Sequence, residues 1–156
     1  MKKLLFVCSG NTCRSPLAEG IAKHIFSETV LEGIEISSAG TSAANGLPAS
    51  GMATEVARLN GIDLGGHRSR LLDPALIAEA DMIIAMTRRH REIIGETEPA
   101  ALGYTYVLSD FCGGVPGDIA DPIGSGIDVY QQTFAIIKEC IEALQNRLAT
   151  FDGWKK

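Results

Sequence analysis

The segment Val7-Cys8-Ser9-Gly10-Asn11-Thr12-Cys13-Arg14-Ser15-Pro16 follows an apolar run and precedes a stretch with helical periodicity. Its small and polar residues allow the chain to curl, so that successive backbone N–H groups point inward and form a nest for an anion. The helix that follows adds unpaired N–H groups and the positive end of its dipole. The segment therefore predicts a phosphate-binding loop after the first strand.

Cys8 and Arg14 frame this loop, and both have the chemistry that an anion site uses. The planar guanidinium of Arg14 can bind two phosphoryl oxygens. Cys8 is expected beneath the positive cup, which favours the thiolate, a nucleophile for in-line displacement at phosphorus. A packing thiol is the alternative for Cys8, but it leaves the turn-forming residues and Arg14 at this spacing unexplained. Packing does account for Cys112 and Cys140, which are predicted to be buried thiols.

The remaining sequence alternates short apolar runs with longer amphipathic segments, and it contains no internal repeat. Strands are predicted over 4–8, 34–38, 82–86 and 104–108. Two helices are predicted over 52–59 and 74–80. Another is predicted after a Ser15 cap, with Glu19 in its first turn, and another after a Thr87 cap. A last helix is predicted near the C-terminus, with Val129 facing the core. The order β-α-β-α-α-β-α-β-α predicts one α/β domain over residues 1–156. It is a three-layer sandwich: a four-stranded parallel sheet with helices on both faces.

Ligands of such sheets bind at the carboxyl ends of the strands. The loop after the first strand and a Gly/Pro-rich loop over 113–126 are both expected at that edge. The helix after Thr87 carries a basic run over 88–91, which is predicted to be a solvated helix face rather than a docking patch for an acidic protein.

Composition limits the kinds of partner. The 156 residues are 46% hydrophobic and 21% charged, which excludes a disordered chain, collagen or a coiled coil. A net charge of −5 and 6% aromatic residues disfavour nucleic acid and anionic membranes. No run is long enough to cross a membrane, the first apolar run is too short for a secretion signal, and the four cysteines lack zinc spacing. We therefore expect a soluble, reduced, cytoplasmic protein without a metal or cofactor, and the oligomeric state stays open.

Residues 8–16 resemble the signature of the low-molecular-weight protein tyrosine phosphatases, Cys-x-Gly-Asn-x-Cys-Arg-Ser-Pro, and match it at every fixed position. Asp121-Pro122 resembles the Asp-Pro motif of that family, and the similarity extends over essentially the whole chain. The resemblance implies that Cys8 is the nucleophile and Arg14 the oxyanion clamp. Asp121 would protonate the leaving group and then accept a proton from the water that hydrolyses the phosphocysteine.

The resemblance also implies supporting roles. Ser15 would donate its hydroxyl to the Cys8 sulfur, Asn11 would hold the strained turn of the loop, and His67 would brace Asn11. The implied substrate is a phosphorylated protein, the product is inorganic phosphate, and no metal is needed. The predicted phosphate-binding or supporting positions are Ser9, Gly10, Asn11, Thr12, Cys13, Ser15 and His67.

Two positions bear on the substrate. Thr12 stands where tyrosine-directed members carry Ile or Leu, and it resembles the Thr of the bacterial protein-arginine phosphatases. Ile123 stands where the family places Tyr or Phe against the substrate ring, so an aromatic packing partner is missing. Thr12 favours phosphoarginine over phosphotyrosine, whereas Ile123 departs from both groups.

Other interpretations stay open at this level. A thioredoxin-coupled arsenate reductase shares the loop, but it needs two further cysteines close together after the third helix. No cysteine lies over 88–98, and Cys112 and Cys140 are far apart in sequence, which disfavours the reductase. A non-catalytic anion-binding module would have lost its catalytic residues, which are present here.

The resemblance also suggests that Cys13 forms a protective disulfide with Cys8. Phosphorylation of Tyr130 is undecided.

Overall fold

A computed structural model describes residues 1–27, 33–113 and 117–156. Four parallel strands form one sheet in the order β2-β1-β3-β4, as the sequence predicts. The strands are β1 (Lys3–Cys8), β2 (Glu35–Gly40), β3 (Met82–Ala85) and β4 (Thr105–Val107). The helices of the described residues are α1 (Arg14–Phe26), α2 (Gly51–Leu59), α3 (Pro74–Glu79), α4 (Arg88–Thr97) and α5 (Ile127–Leu148), with short 3₁₀ helices at Pro99–Tyr104 and Leu108–Phe111.

Both faces of the sheet are covered. Successive residues of a strand point to opposite faces. Leu4, Phe6 and Cys8 therefore lie in a cluster with α1, α2 and α5. Leu5 and Val7 lie in a second cluster, with α3 and α4 on the other side. The resulting three layers explain why the strand sequences are continuously apolar, and they confirm the predicted architecture.

The carboxyl ends of β1 and β2 meet at one edge. Cys8 and Gly40 are register partners, and Thr41 N donates to the carbonyl oxygen of Cys8 at 2.9 Å. On the other side of β1, Met86 N donates to the carbonyl oxygen of Val7 at 2.9 Å. Cys8 therefore lies at the end of a central strand, with chain on both sides.

Three local predictions are wrong. The cap residue of helix α1 is Cys13 instead of Ser15, so the helix begins at Arg14, and no side chain caps it. Glu19 accordingly lies beyond the first turn, which holds no acidic residue. Val129 is 40% exposed, because the buried stripe of α5 runs through other positions. These are Tyr130, Thr133, Phe134, Ile137, Cys140, Ile141, Leu144 and Leu148.

The prediction that Cys112 and Cys140 are separate packing thiols is also wrong. They form a disulfide across 28 residues of sequence, with Cα atoms 5.0 Å apart. The 3₁₀ helix at Leu108–Phe111 packs against α5, and this tertiary contact is invisible in the spacing of the two cysteines. Within the described ranges, no helix combines the length and apolarity that a membrane span requires.

Candidate active site

The loop over 9–13 joins β1 to α1, and Gly40 allows it to lie close against the end of β2. A Cβ atom at Gly40 would lie 2.9 Å from the backbone nitrogen of Asn11, with Ser9 also in its path. Ser42 N donates to the carbonyl oxygen of Ser9 at 3.0 Å, and this bond holds the outer side of the loop. The need for glycine at position 40 comes from this close approach, which sequence reasoning did not identify.

Asn11 is the strained residue of the loop. Its φ of 56° lies in the left-handed region, and its side chain is fully buried. Asn11 Oδ1 accepts from the backbone N–H of Arg70 at 3.0 Å, and His67 Nε2 donates to the carbonyl oxygen of Asn11 at 2.7 Å. These contacts hold an unfavourable backbone conformation in place, which is common at functional sites.

The orientation of the Asn11 amide sets the direction of the hydrogen bond between Ser15 and Cys8. Because Asn11 Oδ1 accepts from a backbone N–H, Nδ2 is the donor, and it donates to Ser15 Oγ at 2.8 Å and to Ser38 Oγ at 2.9 Å. Ser15 Oγ is thus an acceptor toward Asn11, and its own proton is free to point to Cys8 Sγ, which is 2.8 Å away. This arrangement can stabilise a thiolate at Cys8.

Cys8 lies beneath this loop as a free, buried thiol. The side chain of Arg14, 6% exposed, enters the same region from the first residue of α1. Its Nη1 donates to the carbonyl oxygen of Ile119 at 3.0 Å, and its Nη2 lies 3.5 Å from Ser9 Oγ and 3.5 Å from Asp121 Oδ2. The fold therefore brings Asp121 to the loop from more than 100 positions away in sequence.

Asp121 and the two substrate-related positions lie toward the outside. The Asp121 side chain is 43% exposed, and its Oδ1 accepts from the backbone N–H of Ile123 at 3.1 Å. Ile123 is 65% exposed. Thr12 is half-buried, with Oγ1 at a long 3.9 Å from Cys13 Sγ. These positions can contact a substrate without rearrangement of the core.

The buried side chain of Cys13 contacts two hydroxyl groups. Its Sγ donates to Ser50 Oγ at 3.3 Å and lies 3.3 Å from the hydroxyl oxygen of Tyr130. Burial, together with the hydrogen bond to Cys13, raises the pKa of Tyr130. Tyr130 is 2% exposed, so its hydroxyl is closed to a kinase in this conformation. Cys8 and Cys13 are both free thiols here, and a disulfide between them stays a prediction.

His90 is a site residue that sequence reasoning missed. It belongs to the basic run predicted to be solvated, yet it is 4% exposed. Its Nε2 lies 2.8 Å from Ser9 Oγ, across 81 positions of sequence. Burial and the nearby Arg14 charge lower the pKa of His90 to about 4. The spacing of four residues between His90 and the buried Ile94 indicates burial of His90, but it does not predict the contact with Ser9.

The other residues of that run are paired or bonded. Arg88 lies 3.0 Å from Asp110 and 3.3 Å from Asp118, and Arg89 pairs with glutamates of its own helix. Arg91 donates to backbone carbonyl oxygens. Across the described part of the chain, no group of three His, Cys, Asp or Glu side chains could hold a metal ion.

Comparison with known proteins gives one consistent family. The sequence model of the low molecular weight phosphotyrosine protein phosphatase family matches residues 3–151. Over 148 residues, the chain is 40% identical to a Geobacillus stearothermophilus protein named protein-arginine-phosphatase, covering 95% of this chain and 97% of that one. Over 148 residues, it is 32% identical to a Ralstonia nicotianae protein named probable low molecular weight protein-tyrosine-phosphatase EpsP, with 95% and 97% covered. The YwlE arginine phosphatase structure from Geobacillus stearothermophilus has a TM-score of 0.87 at 39% identity, with 96% and 94% covered.

Proposed function

We propose that this chain, which belongs to the low molecular weight phosphotyrosine protein phosphatase family, hydrolyses phosphorylated proteins through a phosphocysteine on Cys8. The observation that carries the proposal is the 2.8 Å contact between Ser15 Oγ and Cys8 Sγ beneath the loop. The Asn11 amide donates to Ser15 Oγ, so the Ser15 hydroxyl can donate its own proton to the sulfur. Residues 1–156 form one phosphatase domain in this proposal. Its location in the cytoplasm is a prediction from composition.

In the first step, the Cys8 thiolate attacks phosphorus. The loop N–H groups and Arg14 bind the phosphoryl oxygens, where negative charge develops in the transition state. The S–P bond forms as the bond from phosphorus to the leaving group breaks. Asp121, at the exposed side of Arg14, donates a proton to the departing atom. The dephosphorylated side chain then leaves, carrying on its departing atom the proton that Asp121 donated.

In the second step, water hydrolyses the phosphocysteine. The Asp121 carboxylate accepts a proton from the water, and the oxygen of that water attacks phosphorus. The S–P bond breaks, inorganic phosphate forms, and Cys8 returns as a thiolate. The Ser15 hydroxyl stabilises that thiolate both as the attacking group and as the leaving group, and no metal takes part.

Phosphoarginine is the proposed preferred substrate: Thr12 supports it, whereas Ile123, which departs from both groups of enzymes, only disfavours a phenyl ring. Thr12 presents a hydroxyl at the loop, with only a long contact to Cys13, so it is free to bond a polar guanidinium or its attacking water. Ile123 is exposed and offers no aromatic ring for a phenyl group to pack against. The Geobacillus stearothermophilus relative that carries the name protein-arginine-phosphatase supports the same choice. Phosphotyrosine is the second candidate, because the name of the Ralstonia nicotianae relative refers to it.

Parallel turnover of matched phosphoarginine and phosphotyrosine peptides tests this proposal. The wild type is expected to give the higher kcat/KM for phosphoarginine, and Cys8→Ala is expected to turn over neither. Thr12→Val removes the hydroxyl while keeping the shape of the side chain. It should lower the phosphoarginine value about 10-fold, the worth of one hydrogen bond, and leave the phosphotyrosine value nearly unchanged. A large wild-type preference for phosphotyrosine would reject phosphoarginine as the substrate.

A further inference from the structure

His90 connects α4 to the phosphate-binding loop through two hydroxyl groups. Its Nδ1 lies 2.9 Å from Thr87 Oγ1, and its Nε2 lies 2.8 Å from Ser9 Oγ. Thr87 Oγ1 also accepts the backbone N–H of His90 at 3.1 Å, which begins the helix. The ring is therefore held at both nitrogens, in a fixed position at the first turn of α4.

Ser9 carries this connection to Arg14. The guanidinium can only donate, so Arg14 Nη2 donates to Ser9 Oγ at 3.5 Å, and Ser9 Oγ is in contact with His90 at the same time. Arg14 Nη1 is fixed separately by the carbonyl oxygen of Ile119 at 3.0 Å. The two terminal nitrogens of the guanidinium are thus held separately. Nη1 is bonded to the segment before Asp121, and Nη2 is bonded to Ser9, which in turn contacts α4.

We propose that His90 is a positioning residue of the phosphatase, which orients the Ser9 hydroxyl and thereby fixes Nη2 of Arg14 for phosphoryl binding. The inference rests on the proposed function, because the oxyanion that Arg14 binds is the phosphoryl group. His90 does not touch the substrate in this account. It acts through Ser9, and loss of the Nε2 contact alone is enough to remove its effect.

Burial and the charge of Arg14 outweigh two nearby carboxylates, which raise the pKa of His90, and they favour the neutral imidazole. Arg14 faces it from the loop, and Asp118 and Asp121 face it from the segment that follows the 3₁₀ helix at Leu108–Phe111. Burial is the largest influence, and the positive charge of Arg14 adds to it, so the pKa of His90 is lowered to about 4. A neutral ring next to Arg14 avoids a second buried cation, which would compete with the guanidinium for the anion.

Two substitutions at position 90 separate hydrogen bonding from packing. In His90→Gln, the terminal amide reaches the place of Nε2 and can keep the Ser9 contact. In His90→Asn, the shorter amide reaches only the place of Nδ1, so it keeps the Thr87 contact and loses Ser9. Ile94→Val is the matched control for stability, because Ile94 is fully buried on the same helix and lies outside the hydrogen-bonded chain.

The test measures inhibition by inorganic phosphate, kcat/KM with para-nitrophenyl phosphate, and thermal stability. His90→Asn should weaken phosphate binding and lower kcat/KM by about 10-fold, whereas His90→Gln should stay within about 2-fold of wild type. Ile94→Val should lower stability without changing phosphate affinity. In the double variant Ser9→Ala with His90→Asn, the loss should be no larger than that of Ser9→Ala alone, because His90 acts only through Ser9.

The outcomes separate this inference from the proposed function. Equal losses in His90→Asn and His90→Gln, or additive losses in the double variant, would overturn the positioning role while the phosphatase assignment stands. The same holds if phosphate affinity is unchanged in His90→Asn. A wild-type protein that neither binds phosphate nor turns over para-nitrophenyl phosphate would overturn both.

Discussion

Nη2 of Arg14 lies 3.5 Å from Oδ2 of Asp121, so the proposed oxyanion clamp and the proposed general acid are direct neighbours. The guanidinium is buried, whereas the carboxyl group is 43% exposed. Asp121 can therefore reach a leaving group on the solvent side of a phosphoryl group held by Arg14. This placement supports the proposed role of Asp121 over that of a turn-forming Asp-Pro on a surface loop.

Asp121→Asn should reveal proton donation through the nature of the leaving group. A phosphotyrosine peptide has a poor leaving group, so its kcat/KM should fall by about 100-fold or more. Para-nitrophenolate leaves readily without a proton, and its kcat/KM should fall much less. Steady-state kinetics with both substrates measure this difference. An equal fall in kcat/KM for both substrates would show that Asp121 is not the general acid.

Ser15→Ala should slow the step in which the thiolate leaves phosphorus. The hydroxyl that lies 2.8 Å from Cys8 Sγ is removed, and a hydrogen bond to a charged group is worth about 10-fold to 100-fold in rate. Rapid-mixing experiments should show a burst of product followed by slow turnover. Ser38→Ala is the control, because Ser38 accepts from the same Asn11 amide without contacting Cys8. Identical kinetics for the two variants would contradict the role of Ser15.

Gly40→Ala should distort the loop from its supporting side. The new Cβ would lie 2.9 Å from Asn11 N and 2.9 Å from Ala43 Cβ, which forces the backbone apart. We expect a loss of about 1–3 kcal/mol in the free energy of unfolding and a lower affinity for phosphate. Gly66→Ala provides the comparison, since a Cβ there meets no atom within 4 Å. Urea denaturation and phosphate inhibition report the two effects. The account of the close approach is wrong if Gly40→Ala behaves like Gly66→Ala.

Acidification should destabilise the fold through His90. Its pKa in the folded state is about 4, below the 6.5 of an ordinary histidine, so the unfolded chain takes up this proton first as pH falls. Stability is therefore lost as the pH falls from 6.5 to 4, by on the order of 3 kcal/mol, and the loss ends once the folded protein also binds the proton. Urea denaturation at several pH values should show a smaller acid loss in His90→Gln. Parallel curves for the two proteins would refute this linkage.

The sequence predicted the site best where the residues are neighbours along the chain. The loop from Cys8 to Arg14 is short, so turn-forming residues and a helix start determine its geometry locally. The contact of His90 with Ser9 spans 81 positions and depends on how α4 packs against the sheet, which no local pattern encodes. The pairing of Cys112 with Cys140 has the same origin.

Helix α1 shows a second reason for failure. The rule that a Ser before a Pro caps a helix favoured Ser15, but the Ser15 hydroxyl contacts Cys8 and Asn11. The helix begins two residues before the start that a Ser15 cap predicts, and it has no side-chain cap. Local propensity was overridden at the position where the hydroxyl serves the site, which is where sequence rules are expected to fail.

The central claim is that Cys8 carries the phosphoryl group between substrate and water. Mass spectrometry after a denaturing quench of Asp121→Asn with para-nitrophenyl phosphate tests it directly, because loss of the proposed base lets the intermediate accumulate. The account predicts one phosphoryl group on the peptide that contains Cys8, and none in a variant that also carries Cys8→Ala. A phosphoryl group on another residue, or turnover without any phosphoenzyme, would contradict it.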